Sequence, residues 1–208
     1  MPARTEAMRI STMPTTSPQR TPVFEHHFVG GNTFMLGLIR SNADALGVTA
    51  ENIHFDSTLA RTRAQLTQRT VELTAGAATL KGDVLSFTVG VRNLTGHKFP
   101  TAFPSRRAWL HVTVRDAAQQ LVFESGAWDG RGEITGLDDP FESHYQTINS
   151  AEQVQIWESV MGDTEGRPTA QLLHGATYLK DNRIPPQGYS AEAMESDTIG
   201  VVGTDGDA

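Results

Sequence analysis

The sequence contains no cysteine. That absence excludes disulfides, thiolate nucleophiles, cysteine-ligated zinc or iron–sulfur sites, and thioether attachment of a haem to this chain. Positive charge is short as well. Seventeen Lys and Arg stand against 24 Asp and Glu, a formal net charge of −7. No basic stripe of the kind carried by nucleic-acid binders is visible, so nucleic acid is not an expected partner. Arg61, Arg63 and Arg69 lie close together but read as a solvated helix face. No apolar run approaches the ~20 residues of a membrane-spanning helix. Met1 to Pro22 is polar and has no apolar signal-peptide core. A βαβ rhythm, a glycine-rich phosphate loop, a Gly-x-Ser-x-Gly elbow and a zincin helix are all missing. A nucleotide-binding fold, a hydrolase triad and a zincin site are therefore not expected.

What is present is turn chemistry: 19 glycines and 10 prolines in 208 residues. Such punctuation favours strands over long helices. Residues 1–22 carry Pro2, Pro14, Pro18 and Pro22 among Ser and Thr, and read as a linker or extended arm with little regular structure. Residues 23–70 read as a helical lead-in. Met35, Leu38, Ile39 and Leu46 recur at helical spacing from Thr33, and Gly47 makes a stop. A second helix is predicted from about Asp56 to Arg69, with Asp56 or Ser57 as its cap. Residues 71–208 then change period. Val84 to Asn93 and Ala108 to Arg115 alternate, a hairpin partner follows at Gln120 to Ser125, and Gln153 to Trp157 alternates again. Thr177 to Lys180 and Ile199 to Val202 are further strand candidates. The fold class expected is mainly β, an antiparallel β-sandwich preceded by a short helical lead-in. Leu85, Phe87, Val89, Val91, Leu110, Val112 and Val114 are its expected core. Only Gly203 to Ala208 follow the last strand, so the β domain reads as cut short at its C-terminus.

The long irregular segment Asn93 to Arg107 is where chemistry is expected, because loops on a rigid β scaffold carry function. Pro100 and Pro104 forbid a central strand there and Gly96 permits a sharp turn. His97 can offer an imidazole to a metal or a haem iron, or can simply shape the loop. His26 and His27 are adjacent and diverge, so at most one of them serves a given metal. Asn93-Leu94-Thr95 matches an N-glycosylation sequon. Asp138, Asp139, Glu142 and Glu158 can be drawn as carboxylate pairs, or left as solvated turns. Trp109, Trp128 and Trp157 either form a stacking platform or fill the core.

Three stretches together carry a resemblance. They are His26-His27-Phe28-Val29-Gly30-Gly31-Asn32-Thr33-Phe34-Met35-Leu36, then Asn93 to Arg107 with Ala108-Trp109-Leu110, then Tyr178-Leu179-Lys180-Asp181-Asn182-Arg183-Ile184-Pro185-Pro186. From about residue 22 to 202 the chain resembles the C-terminal, non-haem region of bacterial multihaem c-type cytochromes. There a cluster of Cys-x-x-Cys-His sites precedes a β-sandwich with a Thr-Gly-His-x-x-Pro-Thr loop. This chain departs from that pattern where a haem-attachment motif would precede His26: Met8-Arg9-Ile10-Ser11-Thr12 stands there, with neither cysteine nor proximal histidine.

The resemblance implies a haem-free accessory module, periplasmic or extracellular, whose partner is a haem-bearing cytochrome segment or subunit. It raises His97, and His26 or His27, as distal ligands to a haem held by that partner, with no haem bound covalently here and no catalytic residue. Two other classes stay open: a binding module for a glycan or partner protein, using the 93–107 loop and tryptophans, and a metal-dependent enzyme using His26, His97 and a carboxylate. The loop is expected to be ordered, with His97 turned from solvent toward the lead-in.

Overall fold

The computed structural model describes residues 3–24, 27, 29–30, 32–101, 104, 106–137, 141–190, 192 and 200–203. The chain divides into two compact units, Met1–Thr67 and Gln68–Ala208. No helix among the described residues is long and apolar enough to cross a membrane.

In the first unit the N-terminal arm is more regular than its composition suggests. Strands β1 (Ala3–Arg4) and β4 (Val23–Phe24) pair antiparallel, as do β2 (Met8–Arg9) and β3 (Gln19–Arg20). Helix α1 spans Phe34–Ser41. Its free N–H groups are met by Asn32, whose Oδ1 accepts from the backbone N–H of Phe34 at 2.8 Å and of Met35 at 3.3 Å. The helix stops earlier than the apolar spacing implied and runs on as turns to Gly47, whose φ of +64° supplies the expected stop. Helix α2 spans Asn52–Gln68, starting four residues before the expected Asp56. Asp56 is not a cap. It is drawn into an ion pair with Arg40 at 2.6 Å, and Arg40 also donates to the Asn52 Oδ1 at 2.9 Å. These bonds tie the two helices of the unit together.

The second unit is mainly β, as its alternation predicted, and every ladder in it is antiparallel. A long hairpin opens it. β5 (Val71–Ala75) pairs with β8 (Val89–Asn93), and β6 (Thr79–Lys81) with β7 (Val84–Ser86) across a turn at Gly82. Then β9 (Ala108–Trp109) pairs with β12 (Ile156–Trp157), and β10 (Val112–Arg115) with β11 (Leu121–Ser125). β13 (Ser159–Gly162) lies between β14 (Pro168–Thr169) and β15 (Thr177–Asp181). Gly126 is needed at the end of β11. Its φ is +76°, and a Cβ there would collide with the Leu110 carbonyl oxygen.

Three turns share one construction. In each an aspartate Oδ1 accepts the N–H groups two and four residues on: Asp116 from Ala118 and Gln120, Asp129 from Arg131 and Glu133, Asp163 from Glu165 and Arg167. The residue three after each aspartate takes positive φ: Gln119, Gly132 and Gly166. The carboxylate substitutes for ladder acceptors that the tight turn cannot supply. These bonds hold the Asp129 and Asp163 carboxyls below the ordinary carboxylate range.

The expected core is corrected. Leu85 and Phe87 are 43% and 41% exposed, and Val89, Val91, Leu110, Val112 and Val114 are only half-buried. The hairpin is a two-stranded ribbon, and its apolar face lacks a complete covering layer among the described residues. The buried cluster is instead Ile134, Val154 and Ile156, with Trp109 and Leu137 packed against it.

Candidate functional site

Asn93 ends β8, in register opposite Val71, and is 2% exposed. Its Oδ1 accepts from the Thr95 backbone N–H at 2.9 Å and from the Thr95 hydroxyl at 2.8 Å. Its Nδ2 donates to three backbone carbonyls: His97 at 2.6 Å, Ile184 at 3.0 Å and Pro185 at 3.3 Å. One side chain thus closes the Thr95-Gly96-His97 turn and straps it to a segment about 90 residues away. Phe99 and Ile184 exchange two backbone bonds of 2.8 Å each, and Pro100 is buried behind them. Lys98 donates to Asp181 Oδ2 at 2.8 Å and to the Gly200 carbonyl at 2.9 Å.

These bonds hold the Asn93 to Pro100 part of the Asn93 to Arg107 loop, while Ala102, Phe103 and Ser105 lie outside the described residues. His97, however, is exposed rather than turned from solvent. The loop folds inward through Phe99 and Pro100, and its polar groups are absorbed by Asn93, so the imidazole is left outside. The ring makes no hydrogen bond or ion pair among the described residues. His27 is half-buried in the first unit, and His26 lies outside the described residues. The Asn93 sequon is not accessible in the folded chain, because its amide is buried and fully engaged.

Behind the loop, β15 presents a polar interior that the sequence reading missed. Lys180 is fully buried. Its Nζ donates to the Glu142 carbonyl at 2.6 Å, the Glu158 Oε1 at 3.0 Å and the Ile156 carbonyl at 3.2 Å. Three acceptors match the three hydrogens of an ammonium group. Burial lowers the Lys180 pKa from its ordinary value, against the opposing pull of Glu158. Glu142 and Glu158, drawn from sequence as possible catalytic carboxylates, both belong to this cluster. Glu142 accepts the Tyr145 hydroxyl at 2.7 Å. Asp138 and Asp139 lie outside the described residues.

His144 is half-buried at the edge of the cluster. Its Nδ1 faces two amide groups, Gln155 Nε2 and Asn182 Nδ2, each at 3.0 Å. Both amides are oriented by the backbone. Gln155 Oε1 accepts from Tyr145 N–H at 2.5 Å, and Asn182 Oδ1 accepts from Glu158 N–H at 2.9 Å. Both NH2 groups must therefore point at His144, so Nδ1 carries the lone pair and the proton sits on Nε2. That tautomer has no free ring nitrogen for a metal.

Beside it, Asp181 is buried and paired with Lys98 at 2.8 Å and with Arg183 through two bonds of 2.7 and 2.8 Å. Burial alone would raise the Asp181 carboxyl, but the hydrogen bonds from Arg183 and Lys98 outweigh it and hold the group below its usual value. The same pairing raises Arg183. Asp181 also exchanges backbone bonds with Val202, an isolated bridge where a strand is expected over Ile199 to Val202; Ile199 lies outside the described residues.

The tryptophans do not lie in a row. Trp109 packs on the core and donates from Nε1 to the Gly126 carbonyl at 2.9 Å. Trp128 is 54% exposed and meets Trp109 edge-to-face at 6.1 Å and His111 at 5.0 Å. Among the described residues no three His, Cys, Asp or Glu side chains gather as metal ligands. The signal that could have found the interior is the spacing of Lys180 and Asn182, two polar residues two apart at the end of β15 and just past it. Comparison with known proteins adds no relative: no family model, no curated protein and no solved structure matches the chain.

Proposed function

We propose that this chain is a haem-free accessory module of a multihaem c-type cytochrome, acting in the periplasm or outside the cell. It packs on, or shields, a haem-bearing segment or subunit and lends it the imidazole of His97. The observation that carries the reading is the split within the Asn93 to Pro100 turn, where the backbone is strapped on both sides of His97 and the ring is left free. An exposed imidazole on a pinned turn is a competent ligand for an iron brought by another chain segment. With no cysteine in the sequence, this chain offers no thioether anchor, so the reading gives covalent attachment to the partner. His27 and His26 are further candidates for the same role. The reading assigns no catalytic residue.

The test is haemin titration of the intact chain. Haemin is expected to bind weakly and non-covalently with a Soret shift, and His97→Ala to reduce that shift, while His174→Ala, an exposed histidine elsewhere, leaves it unchanged. Covalent haem after co-expression with a maturation system, or a His97→Ala titration identical to the wild type, would sink the reading. The exposed Trp128 supports a second reading, a β-rich binding module for a glycan or partner protein. Quenching of its fluorescence by an oligosaccharide, lost in Trp128→Ala, would favour that one.

A further inference from the structure

We infer that Asn93 is the positioning residue for His97, acting through the His97 carbonyl to fix where the exposed imidazole points. The inference rests on the reading of His97 as an imidazole donor. The shortest of the three Asn93 Nδ2 bonds ends on the His97 carbonyl at 2.6 Å, and Thr95 Oγ1 lies 3.0 Å from the same oxygen, its single hydrogen shared between that carbonyl and Asn93 Oδ1. On the far side Lys98 is held by Asp181 and the Gly200 carbonyl. His97 therefore sits between two pins, and its two side-chain torsions are the freedom left to the ring.

The chemistry needs an asparagine. The site asks for an acceptor toward Thr95 and an NH2 toward His97, Ile184 and Pro185 at once. A carboxylate cannot donate and a serine cannot do both jobs at that reach. Asn93 is itself buried at the end of a paired strand, so the pin is anchored in the ladder rather than in the loop. A ligand held in a narrow range of directions loses less freedom on meeting an iron than one on a mobile loop.

The test compares Asn93→Ala, His97→Ala and the double variant in haemin titrations of the full chain. If Asn93 acts through His97, Asn93→Ala weakens binding about tenfold, and adding it to His97→Ala produces no further loss. Amide exchange at His97 and Lys98 should also quicken in haem-free Asn93→Ala. Binding within twofold of wild type in folded Asn93→Ala, or losses that add in the double variant, overturns the inference. Should Asn93→Ala not fold, Thr95→Val takes its place, with Thr95→Ser expected to restore wild-type behaviour. If Thr95→Val binds like wild type, the inference falls. A silent His97→Ala brings down the functional reading and this inference together. A responsive His97→Ala with a silent Asn93→Ala brings down the inference alone.

Discussion

Two regions of the β unit invert the usual distribution of polarity. The strands around β15 bury a lysine, two glutamates, an aspartate and two amides, while the hairpin Val71–Asn93 leaves Leu73, Leu80, Leu85 and Phe87 between 41% and 69% exposed. Hydropathy alone would have placed these groups the other way round. What separates them is bonding and layering. The Lys180 ammonium reaches three acceptors at 2.6, 3.0 and 3.2 Å, and Asn182 is satisfied at both ends of its amide. A satisfied polar group tolerates burial, whereas an unsatisfied one costs its full desolvation. The hairpin has the opposite problem. Its alternation is correct, but a two-stranded ribbon offers one apolar face, and among the described residues no complete layer covers it.

The largest effect is therefore expected on the polar side. Lys180→Ala should lower stability by about 3–5 kcal/mol, because it strands the Glu158 carboxylate and two carbonyls in the interior. Urea unfolding would measure it. Lys180→Met with Glu158→Leu should recover most of that loss, since removing both charges is far cheaper than removing one. A single variant as stable as wild type would show that the cluster is not holding β15 to β13.

Acid separates the regions in a second way. The Asp181 carboxyl is lowered in the folded chain, so its contribution is complete above the unfolded value of about 4 and is lost as pH falls through the folded value. Lys180 runs oppositely. Its lowered pKa means the unfolded chain binds the proton more tightly, so stability rises with pH between the folded and unfolded values. Urea midpoints across pH should show an acid limb that Asp181→Asn removes and an alkaline rise that Lys180→Met removes. Hairpin variants should leave both limbs unchanged.

Phe87→Ala tests the outside of the comparison. A buried phenylalanine would cost about 3–5 kcal/mol. At 41% exposure the expected loss is under about 1.5 kcal/mol, from the part of the ring that is covered. Thr62→Val tests the principle elsewhere, in α2. Thr62 is fully buried and its hydroxyl finds no partner among the described residues. Exchanging it for an isosteric apolar group should raise stability by about 1 kcal/mol.

The sequence was informative where local chemistry decides. Gly47, the hairpin partner at Gln120 to Ser125, the strand at Thr177 and the mainly-β class follow from residue type and spacing. It was silent where a long-range partner decides. Asp56 reads as a cap until Arg40 takes it, and Glu142 and Glu158 read as solvated carboxylates until Tyr145 meets the first and Lys180 the second. The orientation of His97 belongs to the second kind. It depends on the Asn93 amide meeting the Ile184 carbonyl, and neither residue signals the other along the chain.

The smallest effect should come from Leu80→Lys. Leu80 is 69% exposed and lies directly across from Leu85, which is 43% exposed. The substitution removes one exposed cross-strand apolar pair, which contributes about 0.2–1 kcal/mol. The new ammonium group stays in water, so no desolvation cost is added, and the lysine stem still covers part of the Leu85 side chain. The net change in the isolated chain should fall within about 0.5 kcal/mol of zero. The same substitution beneath a packed layer would bury an unpaired charge and cost several kcal/mol. The urea midpoint of Leu80→Lys thus reports whether anything covers the ribbon in solution. A loss above about 2 kcal/mol would restore the hairpin to the core that its alternation first suggested, and would remove the contrast with the Lys180 side.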